Sequence, residues 1–328
     1  MPGRWPLKVF QSLTMSERHH HDCEAPQDGL VRLRQKGVMM TVDVSLTSYP
    51  GLDDRITVVR AGDEVDAVFV STERFNVLVD TLGTPALCRH ALELLADRMR
   101  DRPLIVVNSH MDWDHFWGNR AISDAPIIAH QSAIDRLRDP SALQTLEQKR
   151  KTEPRFNEVE LVSPTLTFSG ESMTLHGGDL SLHLLHTPGH TPDHIAVWIP
   201  EIETCLAVDA VEHPIPEVWS STPDDLRSLC ASLNRIRSLK PKQLVLAHGQ
   251  TSDPAVLDRN IAYFENIQEA VALVPASELM SAALDQREGM RLEDFVDLPA
   301  GMSFEAREFY ERCHCSNLAA AVAARLAS

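Results

Sequence analysis

A chain of 328 residues with 43% apolar and 24% charged residues has the make-up of a globular protein with a sizeable core, which excludes a largely disordered polymer. Its formal charge of −16 disfavours a nucleic-acid backbone or an anionic membrane as the main partner. No stretch is apolar for long enough to span a bilayer and the start lacks the apolar core of a secretory signal, so the expectation is a soluble, cytoplasmic protein.

Residues 1–40 are polar and aperiodic and contain His19-His20-His21. They read as a flexible leader, or as an over-long start before Met39 or Met40. The β-like runs Ile56–Arg60, Val65–Val70 and Asn76–Asp80 follow, rich in β-branched residues and punctuated by Gly62-Asp63. Thr84-Pro85 has the form of an N-cap with proline at the first helical position, and Leu87, Ala91, Leu94 and Leu95 then fall on one helical face. Leu104–Val107 is a strand of the buried type, running directly into Asn108-Ser109-His110.

In the second half, Leu180–Leu185, Ile195–Ile199 and Thr204–Val208 read as strands. Thr222-Pro223-Asp224-Asp225 opens a helix with Leu226, Leu229, Leu233 and Ile236 on one face, and the strand Gln243–Ala247 ends at His248. Beyond Pro254 the pattern is helical. The six cysteines show no disulfide framework, which suits a reducing compartment. Cys313-His314-Cys315 has the look of a metal clip, but no second ligand pair has zinc-finger spacing and its neighbours have helical periodicity.

Chemistry concentrates at strand ends. Asp80, His110, Asp209 and His248 each follow a short apolar strand, from which loop side chains can converge on one point. In His110-Met111-Asp112-Trp113-Asp114-His115, four imidazoles and carboxylates occur in six residues. These are the donors that borderline divalent metals accept. Further candidates are His186-Thr187-Pro188-Gly189-His190-Thr191-Pro192-Asp193-His194, Val208-Asp209-Ala210 and Ala247-His248-Gly249.

In this order and spacing, from about Val58 to Gly249, the segments resemble the metallo-β-lactamase superfamily, especially its glyoxalase-II-like hydrolases, with Val77-Leu78-Val79-Asp80-Thr81 similar to that family's first strand end. The resemblance implies an αββα sandwich over residues 41–254, with a C-terminal helical extension over residues 255–328. It implies a first metal site of His110, Asp112 and His190, a second of Asp114, His115 and His248, and Asp209 bridging two divalent ions, zinc foremost and manganese or iron as alternatives. Asp114 would also orient the nucleophile.

The family usually has histidine where this chain has Asp112. An added carboxylate makes the first site harder and more anionic, and two roles stay open for Asp112: a ligand, or an orienting group beside a weak or empty site. His194 and Asp80 are expected to support the ligands, while His186 is divided between that role and ordinary packing. His213 reads as a loop histidine near the mouth, and Trp113 and Trp117 as packing beneath the metal loop.

The chemistry implied is hydrolysis of a small ester, thioester, lactone or related substrate by activated water. Asp209 points away from a true β-lactamase, and the charge and lack of basic arms point away from a nuclease. No G-x-S-x-G element offers a serine nucleophile. The alternatives are a phosphodiesterase and a non-catalytic metal-binding or interaction protein on the same fold.

Overall fold

The computed structural model describes residues 42–279 and 284–327. The expected leader and its three histidines lie outside them. Among the described residues, seven strands form the first sheet in the order β1 (Val44–Thr47), β2 (Ile56–Ala61), β3 (Val65–Ser71), β4 (Asn76–Val79), β5 (Leu104–Val107), β6 (Ile127–His130) and β7 (Leu166–Phe168). The first four pair antiparallel as a meander, and β4 to β7 pair parallel. The parallel crossover between β4 and β5 is α1 (Pro85–Met99), whose N-cap Thr84 accepts from the Leu87 amide as the Thr-Pro signal predicts.

Between β5 and β6 lies the short α2 (Trp113–Phe116). Between β6 and β7 lie α3 (Ser132–Arg138) and α4 (Pro140–Thr152), for which the sequence reading has no counterpart. The second sheet takes β8 (Ser172–His176), β9 (Ser181–His186), β10 (Ile195–Ile199), β11 (Thr204–Val208) and β12 (Gln243–Leu246) in the reverse spatial order, β12 to β8. The chain then finishes through α5 (Pro223–Ser238, before β12), α6 (Ala255–Leu273), α7 (Leu292–Phe295) and α8 (Phe304–Leu326).

Period-two alternation explains the layering. On β10, β11 and β12, Ile195, Val197, Leu206, Val208 and Val245 face the core shared with the first sheet. Their neighbours Ala196, Cys205, Ala207, Leu244 and Leu246 face a second core built with α5, α6 and α8. Both faces are buried, so these strands read as continuous apolar runs. The stripe on α5 is the predicted one: Leu226, Leu229, Leu233 and Ile236 are buried, each worth roughly 1.5–3 kcal/mol. The expected αββα class with C-terminal helices is therefore what the chain adopts. Cys313-His314-Cys315 lies on α8, where His314 donates to the Met290 carbonyl and accepts from the Tyr263 hydroxyl, both at 2.8 Å, as part of ordinary helix packing.

Candidate metal centre

The strand ends deliver the site. Asp80 follows β4 with φ 70°, a left-handed conformation that aspartate tolerates. Val208, at the end of β11, has φ 50°, which a β-branched residue adopts only under constraint, at a cost of order 1–3 kcal/mol. The strain coincides with a register shift between Leu206 and Val208 against β12, and Asp209 comes next in the chain. A bulge here re-aims the carboxylate that follows it.

The His110–Asn119 loop is pinned beneath the site. Thr81 donates its amide to the His115 carbonyl at 2.7 Å and its hydroxyl to Asn119 Oδ1 at 2.9 Å, while Asn119 and Asn108 exchange reciprocal amide bonds. A Cβ on Gly118 would lie 1.8 Å from the Thr81 carbonyl oxygen, so only glycine fits that approach. Trp117 is buried against Phe156 and Trp113, which gives the two tryptophans the packing role expected of them.

Asp209 Oδ2 is the centre of the arrangement. It lies 3.4 Å from His110 Nε2, 3.0 Å from His115 Nε2, 3.5 Å from His190 Nε2 and 3.5 Å from His248 Nε2. Ligand-capable atoms of His110, His190 and Asp209 fall within 4.8 Å of one another, as do those of Asp114, His115 and His248. Asp114 Oδ2 is 3.3 Å from His248 Nε2 and 3.7 Å from His115 Nε2. Asp112 stands at the edge of the first cluster, with Oδ2 3.5 Å from His110 Nε2 and 3.6 Å from His190 Nε2. All seven predicted positions thus come together.

The outer hydrogen bonds fix which ring nitrogen faces inward. His115 Nδ1 donates to Asp80 Oδ2 at 2.9 Å, and His190 Nδ1 donates to the Glu217 carbonyl at 3.0 Å. Ser109 Oγ donates to Asp80 Oδ2 at 2.7 Å, which leaves it to accept from His110 Nδ1 at 2.9 Å. In each ring Nδ1 is thereby engaged, and Nε2 is the nitrogen left facing Asp209, free for a metal once it gives up any proton. His110, His115 and His190 Nε2 and Asp209 Oδ1 are buried and make no hydrogen bond. Three inward-facing Nε2 atoms and a carboxylate oxygen, all buried and without a hydrogen-bond partner, are costly to leave so and are the donors a divalent cation takes, so the donor set fits divalent metal.

Charge agrees. Burial opposes ionisation of Asp209, but His115 and His248 hold its pKa well below the usual carboxylate range. Burial likewise opposes charge on His115, yet Asp209, Asp114 and Asp80 lift it well above the ordinary imidazole value; His190 rises to about 9 for similar reasons, chiefly Asp112 and Asp209. The carboxylates make a strongly negative focus, which favours cations of any kind. His194 is the exception. Burial and the neighbouring His110 and His190 hold its pKa well below normal, and its Nε2 accepts from the Asp209 and Ala210 amides at 3.3 and 3.2 Å while Nδ1 donates to Thr187 Oγ1. It positions the Asp209 turn as a neutral ring.

The sequence reading missed several supports. Ser109 relays Asp80 to His110, and Asp193 accepts from the Met111 amide at 2.9 Å. Arg136, on α3, pairs with Asp112 and Asp193. Glu212 is buried near the centre and reached by the Tyr310 hydroxyl from α8 at 3.4 Å, with burial and Asp209 pushing its pKa up to about 7. Only Ser109 and Asp193, inside the motifs, had a signal to follow. His186 stacks on His130 at 3.6 Å, which is the packing alternative of its two expected roles.

The model of the family described as the Metallo-beta-lactamase superfamily matches residues 60–248. Over 183 residues the chain is 25% identical to the Beta-lactamase-like protein 2 homolog of Caenorhabditis elegans, covering 55% of this chain and 54% of that protein. Over 99 residues it is 31% identical to an N-acyl homoserine lactonase of Bacillus sp., covering 29% of this chain and 32% of that one. Among solved structures, a stereoselective inverting sec-alkylsulfatase from Pseudomonas sp. aligns with TM-score 0.60 at 17% identity over 86% of this chain and 50% of that one. A metallo-beta-lactamase family protein from Thermus thermophilus aligns with TM-score 0.56 at 18% identity, over 86% and 91%. The chain spans about half the length of the Caenorhabditis protein and of the sulfatase, and the structural likenesses concern the fold. Motif order, sandwich and a family match running from Arg60 to His248 agree: this chain belongs to the metallo-beta-lactamase superfamily of metal-dependent hydrolases.

Proposed function

We propose that His110, Asp112 and His190, and Asp114, His115 and His248, hold two divalent metal ions bridged by Asp209, and that the protein hydrolyses a small ester, thioester or lactone in the manner of the glyoxalase-II-like branch. Zinc is the first choice of ion, because four of the seven donors are imidazoles and the other three carboxylates, all of which zinc accepts. The observation that carries the reading is the set of inward, hydrogen-bond-less Nε2 atoms around Asp209.

When bound, such ions supply hydroxide near neutral pH and polarise the scissile carbonyl. The chain's own part is preorganisation. Asp80 holds His115 directly and His110 through Ser109, so neither ring turns when substrate arrives. Asp114, with Oδ2 toward His248, is placed to accept a proton from the attacking water and orient it. Similarity to a lactonase over 99 residues supports lactone as one substrate class.

The test is a screen of purified, zinc-loaded protein against thioesters, lactones and phosphodiesters. Turnover of a thioester or lactone that is lost in Asp114→Asn supports the proposal. Turnover of phosphodiesters alone would transfer the reading to a phosphodiesterase, and a metal-loaded but inert protein would make it an interaction protein on a hydrolase fold.

A further inference from the structure

Three carboxylates, Asp112, Asp114 and Asp209, crowd the centre, and Asp112 shares a cation, Arg136, with Asp193. Arg136 Nη2 is 2.5 Å from Asp112 Oδ1, and Arg136 Nη1 is 2.9 Å from Asp193 Oδ1. The second Asp193 oxygen accepts the Met111 amide, so one guanidinium grips both the side chain of Asp112 and, through Asp193, the backbone just before it. Its Cζ stacks 4.5 Å above the Trp219 ring, and its side chain is 15% exposed. A planar fork held on three sides this way is preorganised for bidentate pairing, a task lysine's point charge does not perform.

Resting on the metal-centre reading above, we infer that Arg136 is a positioning residue for the first site: it offsets part of the charge of Asp112 and turns one carboxylate oxygen, Oδ2, toward His110 and His190. The first site then offers two imidazoles, the shared Asp209 and a partly compensated carboxylate. It is less anionic than a bare His-Asp-His-Asp set. The expectation from sequence that Asp112 biases the site toward harder ions is thereby weakened, because the added negative charge is already partly offset. Asp112 and Arg136 are one unit: removing Arg136 leaves Asp112 without its cation, and removing the Asp112 charge leaves the guanidinium with Asp193 alone.

The experiment is a double-mutant cycle on the full chain, read as zinc and manganese content after equilibrium dialysis against defined free metal, with no assay of activity. Arg136→Met exposes the Asp112 charge, and manganese retention relative to zinc should rise by about tenfold. Asp112→Asn takes a charged donor from the first site and leaves the guanidinium with Asp193 alone, and first-site zinc affinity should fall by roughly 10–100-fold. The double variant Asp112→Asn with Arg136→Met should recover at least part of that loss, because both charges leave together. Arg136→Lys, which keeps the charge without the fork, should fall between wild type and Arg136→Met in its manganese-to-zinc ratio. It also carries the test if Asp112→Asn proves insoluble. Additive losses across the cycle, or an unchanged metal ratio in Arg136→Met, would overturn the inference while leaving the centre intact. A wild-type chain that retains neither metal would overturn the centre itself, and the wild-type sample alone reports that.

Discussion

His115 and Asp112 sit three residues apart in one motif, His115 Nε2 3.0 Å from Asp209 and Asp112 beside His110 and His190, yet they are held in opposite ways. His115 is fixed by Asp80, a carboxylate at the end of a central strand, whose other oxygen is tied to the Ser109 amide at 2.7 Å. Asp112 is fixed by Arg136, a cation from a helix inserted between β6 and β7, outside the run of motifs. The second triad is thus anchored to the sheet and the first is anchored partly to an insertion. Ligands anchored to the sheet are set by the fold, and those anchored to the insertion can be tuned by changing it.

The largest effect that separates the two plans comes from the second triad. His115→Ala or His248→Ala should empty the second site and remove most activity, measured as metal per chain alongside turnover. Retention of two metals in either variant would contradict the assignment. Next is Asp80→Asn, which loosens His115 directly and His110 through Ser109, and should cost roughly 10–100-fold in metal affinity at both sites. Ser109→Ala removes the hydroxyl that joins Asp80 to His110 and leaves the direct Asp80–His115 bond and the Ser109 amide on Asp80 in place. It should weaken the first site toward the lower end of that range and spare the second, and equal losses at both sites would show that the relay is not separable.

How much of this was legible follows the same divide. Strands β2 to β5 and β9 to β12 were visible because both-face burial and β-branched composition write themselves as short apolar runs. The ligands were visible because each directly follows such a run or sits in a compact motif. Arg136 was invisible. It lies 24 residues beyond Asp112, and a lone arginine in an amphipathic segment looks like a solvated charge until the fold brings it to 2.5 Å. Glu212 and Tyr310 are joined across 98 residues and were equally beyond reach. The strained Val208 was hidden too, since valine is what a buried strand would carry there in any case.

The smallest expected effect lies away from the centre, where the sheets meet through His130 at the end of β6 and His186 at the end of β9. Burial and the neighbouring His186 depress the His130 pKa, while the Gly170 backbone, Asp193 and Glu171 oppose that shift. The folded state therefore binds a proton less readily than the unfolded one. Stability from this group is intact above the ordinary imidazole value of about 6.5 and is lost as pH falls from there toward the depressed folded value. His130→Phe keeps a ring in the stack without the titration, so its thermal midpoint should fall less than that of wild type between neutral and mildly acidic pH. A slope equal to wild type would place the titration elsewhere.

If Asp209 joins two metal sites, its loss shows in metal content. Wild type and Asp209→Ala, each stripped with chelator, dialysed against zinc and analysed by mass spectrometry of the metal, should differ in a defined way. Wild type should hold two zinc ions per chain and the variant at most one, weakly held, because the oxygen within 3.5 Å of all four histidine Nε2 atoms is gone. A wild-type chain without bound metal, or an Asp209→Ala chain that keeps both ions, would contradict it.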